Sequence, residues 1–243
     1  MSPRVVRRLP TAEMLAQDVA DSLVRRIEKL QSDGRIVELC LTGGRVANLA
    51  YEHLARVVGR SKVDPGALEL WWTDEAFVPT DDPRRNSLQA LSRLAGTFPL
   101  SPARTHPMPS SDASADPAQA ALTYGTDFAG RVIDICLLGL GENGHVAALH
   151  PDHPSAEPTS AIAVGVTDAP KPPSEQVSLT LATINKSREV WMLATGKEKA
   201  HAVARTFRGD ATTISAHVSG VDRTVWFIDE AAASELPFHS CLL

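Results

Sequence analysis

Val132-Ile133-Asp134-Ile135-Cys136-Leu137-Leu138 runs directly into Gly139-Leu140-Gly141-Glu142-Asn143-Gly144-His145, and this stretch decides the fold. An apolar run of this length with a single carboxylate reads as a strand covered on both faces, the kind found in parallel sheets. The glycines mark a turn at its carboxyl end, where open α/β sheets place their ligands.

The same grammar extends in both directions. Leu15, Val19, Leu23, Ile27 and Leu30 recur at three- and four-residue spacing after Thr11, a capping residue, and Gly34 ends the helix they predict. A strand over Ile36–Thr42, the Gly43-Gly44 turn and a helix carrying Ala47, Ala50, Leu54 and Val57 follow. Further strands are read at Leu68–Thr73, Ala161–Val166, Val177–Leu181, Glu189–Thr195 and Thr224–Asp229, with helices over Asn86–Leu94, Ala118–Phe128 and Lys197–Phe207. Interleaving of this kind predicts an α/β fold, doubly wound, with a mainly parallel sheet and helices on both faces. Ser101–Pro117 and Pro151–Ser174, rich in Pro, Ser, Ala and Asp, read as surface loops, because neither separates two complete sets of strands. A single domain over residues 1–243 is expected.

Composition narrows the function. A net charge of −5 opposes a broad nucleic-acid surface, which needs an excess of Lys and Arg. The basic opening MSPRVVRRLP is not followed by an apolar segment, so neither a secretory signal nor a membrane anchor is read there, and a cytoplasmic address is expected. Cys40 and Cys136 sit inside apolar runs and read as small hydrophobes.

GLGENG satisfies the G-x-G-x-x-G dinucleotide fingerprint, but Pro151, Pro154 and Pro158 limit any helix from Gly144 to about two turns, too short for a Rossmann unit. His145, directly after the last glycine, is placed for acid–base work; its alternative is a histidine that merely caps the short helix. His145, His150 and His153 form H-x4-H-x2-H, a spacing that matches no common zinc pattern, so no metal is assigned.

GLGENGHVAALHP, WWTDEAFVPTDDPRRNSLQA and SLTLATINKSREVWMLATGKEKAHAV together resemble the three signature regions of the 6-phosphogluconolactonases, over about Leu39 to Asp229 and in the family's order. That family shares its fold with the glucosamine-6-phosphate isomerase/deaminases. The resemblance implies hydrolysis of 6-phosphogluconolactone to 6-phosphogluconate in the oxidative pentose phosphate pathway, without metal or organic cofactor. It implies His145 as general base on water, Asn143 as its orienting neighbour, and backbone amides around Gly141 to Gly144, that of Gly144 included, as donors to the substrate. The Gly43-Gly44 turn, with Arg45 and Lys199, is implied for the phosphate, although a plain tight turn remains the alternative. Asp74 and Glu75 match the D-E of the family's D-E-R string, and Asn86 matches its asparagine. Adjacent side chains at a strand end point opposite ways, so Asp74 is expected to face the cleft and Glu75 to bind a backbone group or a helix end. The only partner implied is the sugar-phosphate lactone, beyond weak association with other enzymes of the pathway.

Departures from the family pattern are equally specific. Ala76 and Gln176 stand where the family has arginines, and Arg45, Val46 and Ala47 occupy the usual Ser/Thr and Pro positions of the phosphate turn. Arg45, Arg84, Arg85 and Lys171 are the candidate replacement cations. Asn143 replaces aspartate and cannot stabilise imidazolium by charge, so a lowered His145 pKa is expected. Two rivals remain. A non-catalytic sugar-phosphate binder is favoured by Ala76 and Gln176; the isomerase/deaminase branch is opposed by Asn143 and His150 at its two carboxylate positions.

Overall fold

The structure is a computed structural model, and it describes residues 3–96 and 98–237. Among these the chain runs β1 (Arg4–Leu9), α1 (Ala12–Gln31), β2 (Val37–Leu41), α2 (Arg45–Val58), β3 (Leu68–Trp72), β4 (Asp74–Ala76), α3 (Asn86–Leu94), α4 (Pro117–Phe128), β5 (Ile135–Gly139), β6 (Ala163–Val166), β7 (Gln176–Leu179), α5 (Leu181–Ile184), β8 (Glu189–Ala194), α6 (Ala200–Phe207) and β9 (Arg223–Asp229). Six strands form a parallel sheet in the order β1-β9-β8-β5-β2-β3.

The side-chain alternation of these strands builds two cores. Leu39, Leu41, Ile135, Leu137, Trp191 and Phe227 pack with α1 and α2 on one face, while Cys40, Cys136, Leu138, Met192 and Trp226 pack with α4 and α6 on the other. The doubly wound arrangement is therefore as expected, with helices on both faces. Local chemistry sets the helix starts: Thr11 Oγ1 accepts from the Met14 amide at 3.2 Å and Asp116 Oδ1 from the Gln119 amide at 2.8 Å, ahead of Pro117 in the first turn of α4.

Three features differ from the expectation. Residues Arg4–Leu9, read only as part of a basic opening with no element assigned, form the edge strand β1 beside β9; three arginines in six residues hide its strand pattern and suit an edge, where charge discourages pairing with another chain. Asp74–Ala76, Gln176–Leu179 and Ala163–Val166 form a separate antiparallel sheet, β4-β7-β6. No helix follows Gly144. The chain instead doubles back through isolated bridges between Leu140 and Val146 and between Val146 and Leu149.

Thr73 joins the two sheets. Its amide donates to Leu41 O at 2.8 Å in the parallel sheet, and its carbonyl accepts from the Leu179 amide at 2.8 Å in the antiparallel one. Glu75, 1% exposed, then turns inward and accepts from the amides of Asn86 at 2.5 Å and Ser87 at 2.9 Å, capping α3, with Arg85 at 3.6 Å behind it. Glu75 thus takes the helix-end role expected of it.

Two stability predictions follow from this packing. Glu75→Ala strands the buried Arg85 and two helix amides, and a loss of about 3–5 kcal/mol is expected in urea unfolding. A Cβ on Gly165 would lie 2.5 Å from the Ala118 amide nitrogen and the Pro117 carbonyl carbon, backbone that cannot step aside, whereas a Cβ on Gly59 meets nothing within 4 Å. Gly165→Ala is expected to cost about 1–3 kcal/mol and Gly59→Ala to stay within about 0.5 kcal/mol of the parent. Equal unfolding midpoints for those two variants would contradict the packing described.

Candidate active site

The first half of the site grows from the end of β2. Thr42, buried, is clamped by Tyr51, whose hydroxyl accepts from the Thr42 amide at 3.1 Å and donates to its carbonyl at 2.8 Å. The chain then passes Gly43, where a Cβ would sit 1.8 Å from Asn86 Oδ1; only glycine lets Asn86 lie against the turn. Asn86 Nδ2 donates to Asp74 O at 2.9 Å and to Asp74 Oδ2 at 3.1 Å. Asp74 Oδ1 accepts from Thr73 Oγ1 at 2.8 Å and, at 3.4 Å, from Thr42 Oγ1. Burial pushes the Asp74 carboxyl above its ordinary range, and these three donors oppose that shift. Asp74 and Asn86 thereby brace the glycine turn, and one acceptor position of the carboxylate is left for a ligand hydroxyl.

The second half is a pair of helix starts that face one cavity. Gly44 caps α2 at φ 99°, ψ 165°, and Gly196 takes nearly the same shape, φ 93°, ψ 150°, before the 3-10 turn Lys197–Lys199 that leads into α6. Neither cap supplies a side-chain acceptor, so first-turn amides are left for a ligand. Between them lies a cavity of about 380 Å³ whose lining includes Gly43, Gly44, Arg45, Gly139, Gly196 and Lys199. It stands at the carboxyl ends of β2, β5, β8 and β9. Gly196 and Asp229 are additions to the expected set: the Gly196 amide donates to both oxygens of Asp229 at 3.1 Å, which fixes this second cap. The repeated glycine before a helix was its sequence signal.

The loop after β5 completes the site. The His145 ring lies over Gly141, where a Cβ would come within 1.9 Å of Nδ1, so glycine is required for that ring position. Asn143 Oδ1 lies 2.6 Å from His145 Nδ1 and also accepts from the His145 amide at 3.2 Å. With the amide oxygen as acceptor, Nδ1 carries the ring proton and Nε2 keeps its lone pair. His150 is 2% exposed with neither ring nitrogen bonded to protein, and its ring centroid is 4.5 Å from that of His145. Burial first, then His150, Lys171 and Lys199, push the His145 imidazole down to about 3, against a smaller opposing pull from Glu142. Asn143 is not among the causes, so the lowering expected from its neutrality arises here mainly from desolvation.

The expectation for the loop amides changes. Gly141 donates to His145 O at 2.8 Å and Gly144 to Gly141 O at 3.0 Å, while Gly144 O accepts from the Ser215 amide at 3.0 Å. Gly144, expected to contact substrate, is therefore spent on the turn itself at φ 85°. Among the described residues, the amides of Glu142 and Asn143 are the ones in this loop left without a protein acceptor. Glu142 adds a bridge that sequence reasoning missed: its Oε1 lies 3.3 Å from Lys171 Nζ and 3.8 Å from Lys199 Nζ. Lys199 thus links the cavity to the histidine loop.

The replacement cations also separate. Arg84 is committed to Asp82 at 2.7 Å, and Arg85 is buried against Val78 O, Met108 O and Glu75. Ala76 and Gln176, the two positions where the resemblance leads one to expect arginine, are direct partners across β4 and β7. Gln176 Nε2 donates to Pro173 O at 2.7 Å and Lys171 O at 3.4 Å, holding the segment whose lysine reaches Glu142. Arg45 and Lys171 remain as candidates. Among the described residues no group of three His, Cys, Asp or Glu is placed to hold a metal ion, and no helix is long and apolar enough to cross a membrane.

Comparison with known proteins shows the family to which the chain belongs. A 6-phosphogluconolactonase of Streptomyces coelicolor is 39% identical over 239 residues, covering 93% of this chain and 92% of the relative. The human 6-phosphogluconolactonase is 30% identical, covering 84% of each chain. The solved 6-phosphogluconolactonase of Trypanosoma brucei superposes with a TM-score of 0.85 at 22% identity, covering 98% of this chain and 100% of the other, a likeness of fold. Residues 10–226 match the family described as glucosamine-6-phosphate isomerases/6-phosphogluconolactonase, and the chain belongs to that family.

Proposed function

We propose that this chain is a 6-phosphogluconolactonase that hydrolyses 6-phospho-D-glucono-1,5-lactone to 6-phosphogluconate in the oxidative pentose phosphate pathway, with His145 as the general base. The observation that carries the reading is the His145 imidazole, held by Asn143 at 2.6 Å in a loop whose Glu142 reaches Lys199, one of the cations with Arg45 that line a cavity bordered by two helix starts without side-chain caps. Names borne by the relatives supply the substrate class. The enzyme is read as one domain over residues 1–243 working in the cytoplasm, with weak association with other enzymes of the pathway as its only further partnership.

Each chemical need has a group. The substrate phosphate sits at the start of α2, against the first-turn amides and the positive end of the helix dipole, with Arg45 and Lys199 adding charge. His145 Nε2 takes a proton from water as its oxygen attacks the lactone carbonyl carbon. The resulting oxyanion meets the free amides of Glu142 and Asn143, in place of the occupied amide of Gly144. Collapse breaks the bond from that carbon to the ring oxygen, and the imidazolium returns the proton to the departing oxygen. Asp74 acts through Asn86 and Thr42 as a positioning residue, with its spare acceptor turned to a substrate hydroxyl.

Lys171 supplies the positive charge that the family's two arginines would have given, and Gln176 holds the segment that carries it. In the unliganded cleft Glu142 neutralises part of this charge and is displaced when the substrate anion enters. The isomerase/deaminase alternative has less support, because Asn143 and His150 stand at that branch's two carboxylate positions.

Three measurements test the assignment. In a coupled assay with freshly generated lactone, His145→Ala is expected to lose about 10²-fold or more of kcat, the scale of general-base catalysis; rates equal to the parent after subtraction of spontaneous hydrolysis would sink the reading. The imidazole must be neutral to accept a proton, and its pKa is pushed down to about 3. Activity should therefore persist as pH falls through the ordinary histidine range near about 6.5, with the acid limb of kcat/KM below it; an acid limb at or above that range counts against this environment. Arg45→Ala and Lys171→Ala should each raise KM about tenfold through loss of a charged contact, and Glu142→Gln should lower it. Unchanged KM in both alanine variants would remove the replacement-cation argument.

A further inference from the structure

We propose that the groove between α1 and the β1-β9-β8 face, remote from the histidine loop, is a second anion site that takes a compact phosphorylated molecule carrying two or more negative charges. This inference stands independently of the lactonase reading.

The groove is open to solvent along its length and offers about 490 Å³, the scale of a small-molecule site rather than of a macromolecular surface. Arg7, Arg25, Arg26, Lys29 and Arg223 line it, against the carboxylates of Glu189 and Asp222. That is an excess of three positive charges inside one concavity of a chain whose net charge is −5. Concave low-dielectric walls focus such a field toward an incoming anion.

Pairing within the groove leaves part of this charge uncommitted. Glu189, 1% exposed, accepts from Arg26 Nε at 2.7 Å and Trp191 Nε1 at 2.9 Å and pairs with Arg223 Nη2 at 2.8 Å. Arg7 donates to Asp18 Oδ1 at 2.7 Å and to Ser22 Oγ at 3.1 Å. Arg25 makes only the 3.0 Å bond to Ser22 Oγ, and neither Arg25 nor Lys29 has a carboxylate within 4.0 Å among the described residues. Guanidinium groups already held in place lose little freedom when an anion arrives, and their forked donors match phosphate oxygens.

The position is distinct from the catalytic end. Glu189 and Arg223 are the first residues of β8 and β9, whereas the catalytic cavity is lined by Leu193, Thr195 and Asp229 near or beyond the far ends of those strands. Six residues of strand separate the two ends by about 20 Å. A phosphorylated ligand can therefore occupy the groove while lactone is turned over.

Calorimetric titration with inorganic pyrophosphate, at about 0.15 M ionic strength where exposed charges are screened beyond about 8 Å, tests the site. Arg25→Ser/Lys29→Ser should weaken one pyrophosphate site by about tenfold or more with KM for lactone unchanged, and Arg25→Lys/Lys29→Arg should retain it. Arg45→Ala/Lys199→Ala, which alters the catalytic cavity, should leave groove binding intact. Four outcomes overturn the proposal: binding lost in the catalytic-cavity variant and kept in Arg25→Ser/Lys29→Ser, binding equal in every variant, no saturable binding at this ionic strength, or citrate bound as tightly as pyrophosphate.

Discussion

Thr73 is bonded into two sheets at once, its amide to Leu41 and its carbonyl to the Leu179 amide, and the rest of the site depends on that junction. A backbone held on both sides has no freedom to rotate, so the two residues after it are delivered to fixed places. Asp74 reaches toward Thr42 and Asn86, and Glu75 goes the opposite way into the protein to cap α3. Because α3 begins with Asn86, the cap and the brace meet at one residue. The glycine turn at Gly43 is shaped by the packing of two sheets and a helix, not by its own sequence alone.

The histidine loop solves a problem of opposing demands. In the proposed reaction His145 must be neutral to act as a base, while a substrate phosphate calls for cations nearby. Here the same cations serve both ends: Lys171 and Lys199 disfavour an imidazolium at His145 and stand ready for an anion, with Glu142 tempering the charge between them. Burial contributes most to keeping the ring neutral, and Gly141 makes that burial possible by letting the ring fold onto the loop backbone. Asn143 fixes which ring nitrogen carries the proton. Orientation and protonation state are thus set by different neighbours.

Charge is distributed along the sheet in a way that the net value conceals. The chain is acidic overall, yet cations gather at both ends of β8 and β9, with Arg45 and Lys199 at one end and Arg25, Lys29 and Arg223 at the other. Buried carboxylates orient several of them, as Glu189 does for Arg26 and Arg223 and Glu75 does for Arg85. A buried carboxylate that holds two arginines adds little to stability beyond the desolvation it must offset; its effect is to define where the guanidinium groups point.

The alternation of apolar strands with helices was legible in the sequence because burial on two faces forces near-continuous apolar runs, as in Ile135–Gly139 and Glu189–Ala194. The glycines, His145, Asn143 and the Asp74-Glu75 pair were legible for a similar local reason: turns and strand ends place ligand-facing residues at recognisable positions, and the resemblance to a family assigned them roles. The short strand β4, the arginine-rich edge strand β1 and the bridge-bonded return after Gly144 were not legible, since each owes its conformation to partners distant in sequence. Which amides the loop keeps for itself, which cations are already committed, and that Ala76 faces Gln176 were likewise decided only by tertiary structure. Hydrogen-bond partners are settled by distance in space, and a sequence records only which groups are available to bond.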